Sequence, residues 1–191
     1  MILKQTKKLT LAAMFFAIGL ILPLFIAQIP TIGQMLLPMH IPVLLCGLIV
    51  GWEYGLAVGF FLPLVRSIFF GMPAMFPNAV SMAFELATYG LVIGWLYGHS
   101  KWQCVKSLYR CMISAMLAGR LVWGVVRIVL LGVSGVPFGW QLFLAGAFFN
   151  AIPGIILQLI MIPALMVSLN RAKIVTFRKA VSGQVYVHQE E

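Results

Sequence analysis

Charge is scarce in this chain, and negative charge is scarcest. Among 191 residues the acidic side chains are four glutamates, Glu53, Glu85, Glu190 and Glu191, against thirteen Lys and Arg, and charged residues make up only 9% of the total. Hydrophobic residues make up 62% and the mean hydropathy is +1.05. A water-soluble fold of this composition would have far too little polar surface, which excludes a soluble globular domain and leaves an integral membrane protein. Aspartate is absent, so no pair of intramembrane aspartates exists to do acid–base chemistry.

Other absences narrow the function. The three cysteines, Cys46, Cys104 and Cys111, are odd in number and lack a CxxC spacing, so they indicate neither a disulfide framework nor a zinc site. No GxxxxGK[ST] phosphate loop is present, so ATP is not used through that device. HExxH and GxSxG are missing, and His40, His99 and His188 are scattered over both faces. Metal and nucleophilic chemistry therefore have no visible constellation, and neither an enzyme nor a metal or cofactor is expected. A pI of about 9.9 would invite a nucleic-acid reading in a soluble protein, but here membrane topology accounts for the excess of basic residues.

What is present is a series of apolar runs. At roughly 20 residues per spanning helix, the chain holds about six helices and short connections, with no room for a soluble domain of about 100 residues. The expectation is an all-α membrane protein forming a single domain over 1–191, a bundle of six transmembrane helices at about 9–29, 39–51, 55–70, 78–97, 107–131 and 141–169, followed by a basic tail over 170–191. The first run shows no small-residue cleavage site and reads as a retained helix. Pro30, Pro38, Gly71-Met72-Pro73 and Gly132 to Pro137 punctuate the connections, while Trp52–Glu53–Tyr54 reads as a tight turn.

The basic residues give the orientation. Lys4, Lys7 and Lys8 precede the first helix, Lys101, Lys106 and Arg110 lie around the fourth connection, and Arg171, Lys173, Arg178 and Lys179 follow the last helix. The connections after helices one, three and five carry none. Because short basic segments stay on the cytoplasmic side, both termini are expected inside, with Trp52/Tyr54 and Trp95/Tyr97 as interfacial anchors at the inner ends of helices two and four. These ends are alike in sequence, Gly47-Leu-Ile-Val-Gly-Trp-Glu-Tyr-Gly55 beside Gly90-Leu-Val-Ile-Gly-Trp-Leu-Tyr-Gly98, which shared interface chemistry explains more simply than duplication.

Four charges interrupt the apolar runs: Arg66, Glu85, Arg120 and Arg127. A charge near the bilayer centre costs about 2.5 to 3.5 kcal/mol on insertion scales, so such groups usually face protein or a cavity. Arg66, Glu85 and Arg127 fall in outer halves with His40, Asn78, Ser81 and Asn150, and Arg120 falls near the middle. The set converges on a pocket open to the outside. Arg120, Trp123 and Arg127 share one helical face, and Asn78, Ser81/Met82, Glu85 and Tyr89 form a stripe on helix four. Three arginines against one carboxylate leave a formal excess of +2 in this set, which a bound anion would offset through bidentate contacts. The sequence leaves a second reading open, in which Arg66 and Arg127 snorkel to headgroups and Glu85 pairs with Arg120 structurally. Asn150 and Gln158 fit helix bridging as well as substrate contact.

Toward the inner side, Ala13-x-x-x-Ala17, Gly55-x-x-x-Gly59 and Gly90-x-x-x-Gly94-x-x-x-Gly98 are small-xxx-small patterns that let backbones approach closely. They serve either tight internal packing or the docking of another membrane helix.

A basic, pocket-bearing six-helix chain without an energy source resembles the substrate-binding S components of energy-coupling factor (ECF) vitamin transporters. Met35-Leu-Leu-Pro-Met-His-Ile-Pro-Val-Leu-Leu-Cys-Gly47, Gly71-Met-Pro-Ala-Met-Phe-Pro77 and Ala83-Phe-Glu-Leu-Ala-Thr-Tyr-Gly90 look like those of a branch assigned to pantothenate, with the likeness covering roughly 9–98. The resemblance implies a high-affinity vitamin-binding subunit of an ABC-type importer in the bacterial cell membrane, multi-pass, working with a transmembrane T component and two ATPases that hydrolyse the ATP. The pocket would be outward-facing, and Ala13 and Ala17 match the family's docking element by position. Arg66, Arg120 and Arg127 become the expected anion contacts, Glu85 their partner or a hydroxyl acceptor, and His40, Asn78, Trp123 and Asn150 the remaining lining. Cobalamin, hydroxymethylpyrimidine and folate are alternative substrates within the family, and an autonomous small-solute carrier is the alternative outside it.

Overall fold

A computed structural model describes residues 5–26, 37–100, 103–133, 151–172 and 175. Among them every regular element is helical: α1 (Gln5–Ile26), α2 (His40–Ile49), α3 (Trp52–Phe70), α4 (Val80–His99), α5 (Val105–Val133) and α6 (Ile152–Arg171). A kinked turn, Met75–Ala79, in which Phe76 is extended at φ −118° and ψ 134°, leads into α4. Five of the helices, α4 together with that turn, are long and apolar enough to cross a membrane. The exception is α2, whose 10 residues span about 15 Å at a rise of 1.5 Å each, half of a hydrocarbon core about 30 Å thick. Its residues His40 to Leu48 are all buried, so other helices enclose it on every side.

Local chemistry fixes the helix ends. Gly51 takes φ +122°, a value that side-chain-bearing residues avoid, and so makes the corner between α2 and α3 by itself. The helix then restarts at Trp52, and Trp52–Tyr54 form its first turn where the sequence alone reads a tight turn. At the other end of α3, Gly71 adopts the left-handed conformation and its N–H donates to the Ser67 carbonyl at 3.0 Å, a left-handed glycine stop. α6 begins with Pro153 in its first turn, where no partner for a proline N–H is needed. Residues 27–29 of the expected first helix and 141–150 of the expected sixth lie outside the described residues.

α4 occupies the middle of the bundle, packed against α3, α5 and α2. α1 lies across α2 and α3, and α6 lies against α5 and α2. Glycine makes the central contacts possible. A Cβ on Gly55 would stand 2.8 Å from the Gly90 carbonyl oxygen, one on Gly47 would stand 2.6 Å from the same atom, and one on Gly94 would meet the Trp52 backbone at 2.7 Å. Gly59 abuts the Leu86 backbone just as closely. The Gly55/Gly59 and Gly90/Gly94 patterns are therefore spent on internal packing, whereas Gly98 has nothing within 4 Å of its Cβ direction. The similar sequences at the ends of α2 and α4 face each other across this seam, Gly47 against Gly90.

Polar ties hold the ends of the helices together near the basic segments. Tyr54 Oη donates to Gln5 Oε1 at 3.1 Å, joining the starts of α3 and α1. Ser100 and Ser107 hydroxyls lie 2.6 Å apart, joining the end of α4 to the start of α5. Leu117, Leu121, Val125 and Val129 on α5 and Ile156 and Ile160 on α6 are exposed, as expected of faces that meet lipid hydrocarbon.

Candidate functional site

Three helices bring a carboxylate, a guanidinium and an imidazole together inside the bundle. Glu85 of α4 places Oε1 3.0 Å from Arg120 Nη1 of α5, and the same oxygen is 3.5 Å from Nε2 of His40, the first residue of α2. All three side chains are buried: 0% exposed for His40, 1% for Glu85 and 5% for Arg120. In a low-dielectric interior such a pair persists only because each charge has its opposite. His40 is positioned by its own chain reversal, in which the His40 N–H donates to the Leu37 carbonyl at 3.1 Å.

Tyr89, one helical turn beyond Glu85, closes the floor. Its ring stands edge-on to His40 with centroids 5.2 Å apart, and its hydroxyl interacts with the Glu85 carboxylate. The ring lies flat against Gly119, where any side chain would collide with it, so the residue preceding Arg120 is a glycine for a packing reason. Two turns along α5 from Arg120, Arg127 stacks its guanidinium over the Trp123 ring at 5.1 Å from the centroid and is near enough to Glu85 to feel its charge. The shared face of Arg120, Trp123 and Arg127 expected from their spacing is thus directed toward the carboxylate.

Donors in this cluster outnumber acceptors. Arg120 Nε and Nη2 and Arg127 Nε are buried and have no hydrogen-bond partner among the described residues, neither ring nitrogen of His40 makes a well-aligned bond, and Glu85 Oε1 has only its ion-pair contacts. On α6, Gln158 Nε2 is likewise buried and unpaired among the described residues. Buried polar groups are nearly always paired. A site with several unpaired donors and one carboxylate already engaged is shaped to receive acceptors, and its formal charge of Arg120 and Arg127 against Glu85 is +1.

The other expected site residues sit differently. Arg66 is buried but separate from the carboxylate cluster, since its Nη1 donates to the Leu20 carbonyl of α1 at 2.7 Å and its guanidinium lies over Phe70 at 5.3 Å. The carbonyl it reaches is in the α1 turn weakened by Pro23. The four membrane charges are thus two sets, a cluster of three and a lone arginine. Asn78 is half-buried in the kinked turn, where its carbonyl accepts the Ser81 hydroxyl at 3.0 Å. Asn150 lies outside the described residues. Ala13 and Ala17 are exposed on α1, and Ala13 lines an apolar groove between α1 and α3 with Leu9, Ala12, Phe16, Tyr54, Ala57 and Phe61. Among the described residues no cluster of His, Cys, Asp and Glu has the makings of a metal site.

Two further buried polar residues, Tyr89 beside Glu85 and Gln158 on α6, appear in the sequence only as a member of the helix-four stripe and as a residue fitting helix bridging or substrate contact. The position of Tyr89 four residues after Glu85 is a legible signal; a lone glutamine in an apolar helix is a weaker one.

No curated protein and no solved structure matches this chain. A family model described as "ECF transporter, substrate-specific component" matches residues 7–166, a span that takes in the whole buried cluster and most of every helix. The match covers well over half of the sequence, and this chain belongs to the substrate-specific components of ECF transporters.

Proposed function

We propose that the chain captures pantothenate, holding it at the His40–Glu85–Arg120 cluster, for import by a complex with a transmembrane T component and two ATPases. The observation that carries this reading is the set of buried donors on Arg120 and Arg127, unpaired among the described residues, beside one carboxylate that Arg120 already neutralises. Pantothenate is a monoanion with an amide carbonyl and two hydroxyls, so its charge cancels the residual +1 and its acceptors meet the free donors. Its carboxylate would take Arg127 and the outer edge of Arg120, with charge-assisted bonds roughly twice as strong as neutral ones. Trp123 packs beside it and Asn78 and Asn150 complete the lining, whereas Arg66, engaged with α1, stays outside the contact set. Glu85 holds Arg120 in place and accepts from a ligand hydroxyl.

The topology that goes with this function has six passes, with α2 as the short one among them, and both termini at the cytoplasmic face. The basic residues at the start of α1, around the α4–α5 connection and after α6 support it. The exposed Ala13 and Ala17 and the groove beside them are the docking surface for the T component: the glycine patterns are used up inside the bundle, whereas this alanine pair remains open.

Calorimetry on the purified protein tests the reading. Saturable binding of pantothenate, tighter than that of cobalamin, hydroxymethylpyrimidine or folate, is the expected result. Tighter binding of one of the others moves the assignment to that compound, and no binding of any of them removes it.

A further inference from the structure

α6 carries one glutamine, Gln158, among the apolar residues of its buried face, and it is sealed from solvent. Gly154, Gln158, Ile162 and Met166 recur every four residues along the buried face of the helix. α6 packs on α5 and α2, the helices that hold Arg120 and His40. At a rise of 1.5 Å per residue, Gln158 is about 20 Å from the Arg171 end of α6, Glu85 about 21 Å from the His99 end of α4, and Arg120 about 22 Å from the Val105 end of α5. Each of these ends adjoins a basic segment of the sequence, so the amide and the ion pair stand at similar depths along their helices.

Gln158 is 1% exposed, and its Nε2 has no hydrogen-bond partner among the described residues. An unpaired amide in a membrane interior is unfavourable, and leucine or methionine would fill the same space without that cost. The donor is therefore explained by an acceptor that arrives with a ligand. Charge decides which one. A ligand carboxylate goes to the guanidinium groups, where its bonds are charge-assisted, and the neutral donor is left for a neutral acceptor.

We propose that Gln158 is a specificity-determining residue of the substrate site, donating from Nε2 to a neutral oxygen, an amide carbonyl or a hydroxyl, of the anion whose carboxylate the arginines hold. This rests on the cluster being the substrate site. It also gives α6 a direct part in recognition, so that helices α2, α4, α5 and α6 close around one ligand.

The test uses the full-length protein, two probes and two variants. Pantothenate is compared with pantothenol, which keeps the amide and hydroxyls and replaces the carboxylate with an alcohol. Gln158→Leu and Gln158→Met preserve the volume and remove the donor. Both variants are expected to keep the ligand-free melting temperature and to weaken both probes by the same factor, about five- to tenfold for one lost neutral hydrogen bond, leaving the ratio between the probes unchanged. Wild-type affinity for both probes in either folded variant would overturn the proposal while leaving the substrate reading intact. A loss confined to pantothenate would overturn it too, since the amide would then be reading the carboxylate. If the wild type itself fails to bind pantothenate, the substrate reading falls and this inference with it.

Discussion

Glu85 and Arg120 face each other from adjacent helices, Oε1 to Nη1 at 3.0 Å, with both side chains almost wholly withdrawn from solvent. Arg120 spends one of its nitrogens on the carboxylate, and its Nε and Nη2 have no hydrogen-bond partner among the described residues, which is what the proposed binding role requires. A purely structural ion pair inside a bundle would tend to satisfy the whole guanidinium. The half-used arginine is a charge fixed in position and still able to bind.

Removing one partner of a buried pair leaves an uncompensated charge, which typically costs about 3 to 5 kcal/mol. Arg120→Met and Glu85→Leu should each lower the thermal midpoint of the detergent-purified protein markedly, while the double variant should recover most of the loss. Substrate binding should not recover in the double variant, because the fixed cation is gone. Thermal denaturation followed by fluorescence, together with calorimetry on the double variant, separates the two effects. A double variant as unstable as the singles would mean that the pair is not coupled as its geometry indicates.

Arg127 makes no ion pair among the described residues and rests on Trp123 at 5.1 Å. A cation–π contact is worth about 0.5 to 2 kcal/mol as it goes from exposed to desolvated, and Arg127 is half-buried, so Arg127→Gln should lower stability only modestly. Its loss should weaken pantothenate binding by at least an order of magnitude, as expected for a charged hydrogen bond worth about 1.5 to 3 kcal/mol, and should leave pantothenol binding nearly unchanged. Equal losses for the two compounds would remove Arg127 from the carboxylate site.

Much of this could be read from the chain, and the limits have physical causes. The helices follow from apolar run length, and the Arg120–Trp123–Arg127 face follows from helical spacing, because both are local. What the spacing could not give is which long side chain reaches which partner. Arg66 belongs with the other charges by depth, yet its guanidinium takes a carbonyl of α1, an acceptor that every residue carries and no sequence pattern marks. His40 is marked by the sequence only as one of the outer polar residues, and its packing against Glu85 and Tyr89 is a contact made across helices. The glycine patterns offered two uses, internal packing or docking, and only the packing of α3 on α4 decides between them.

That packing makes its own prediction. A Cβ on Gly90 would overlap the Gly55 backbone, which cannot swing aside as a side chain can. Gly90→Ala should cost at least the 1 to 3 kcal/mol typical of overpacking, roughly, and separate α3 from α4. Gly98→Ala, in the same pattern but with open space around it, should be neutral or slightly stabilising through its higher helix propensity. Parallel melting curves of the two variants check this, and equal midpoints would show that the seam is looser than described.

The alanines of α1 differ from the glycines in having nothing over them. Ala13 and Ala17 are exposed, and an apolar groove runs beside Ala13 between α1 and α3. In a bilayer, helices associate through close van der Waals approach, which small residues permit and large ones block. Replacing both alanines with tryptophan should therefore leave the isolated subunit folded and able to bind substrate with unchanged affinity, because the cluster lies across the bundle on α2, α4 and α5. Co-purification with the T component and its ATPases should be lost, and so should ATP-dependent uptake into vesicles. Uptake preserved at the wild-type rate would place the docking surface elsewhere on the bundle, whereas loss of binding by the isolated variant would mean that α1 supports the site itself.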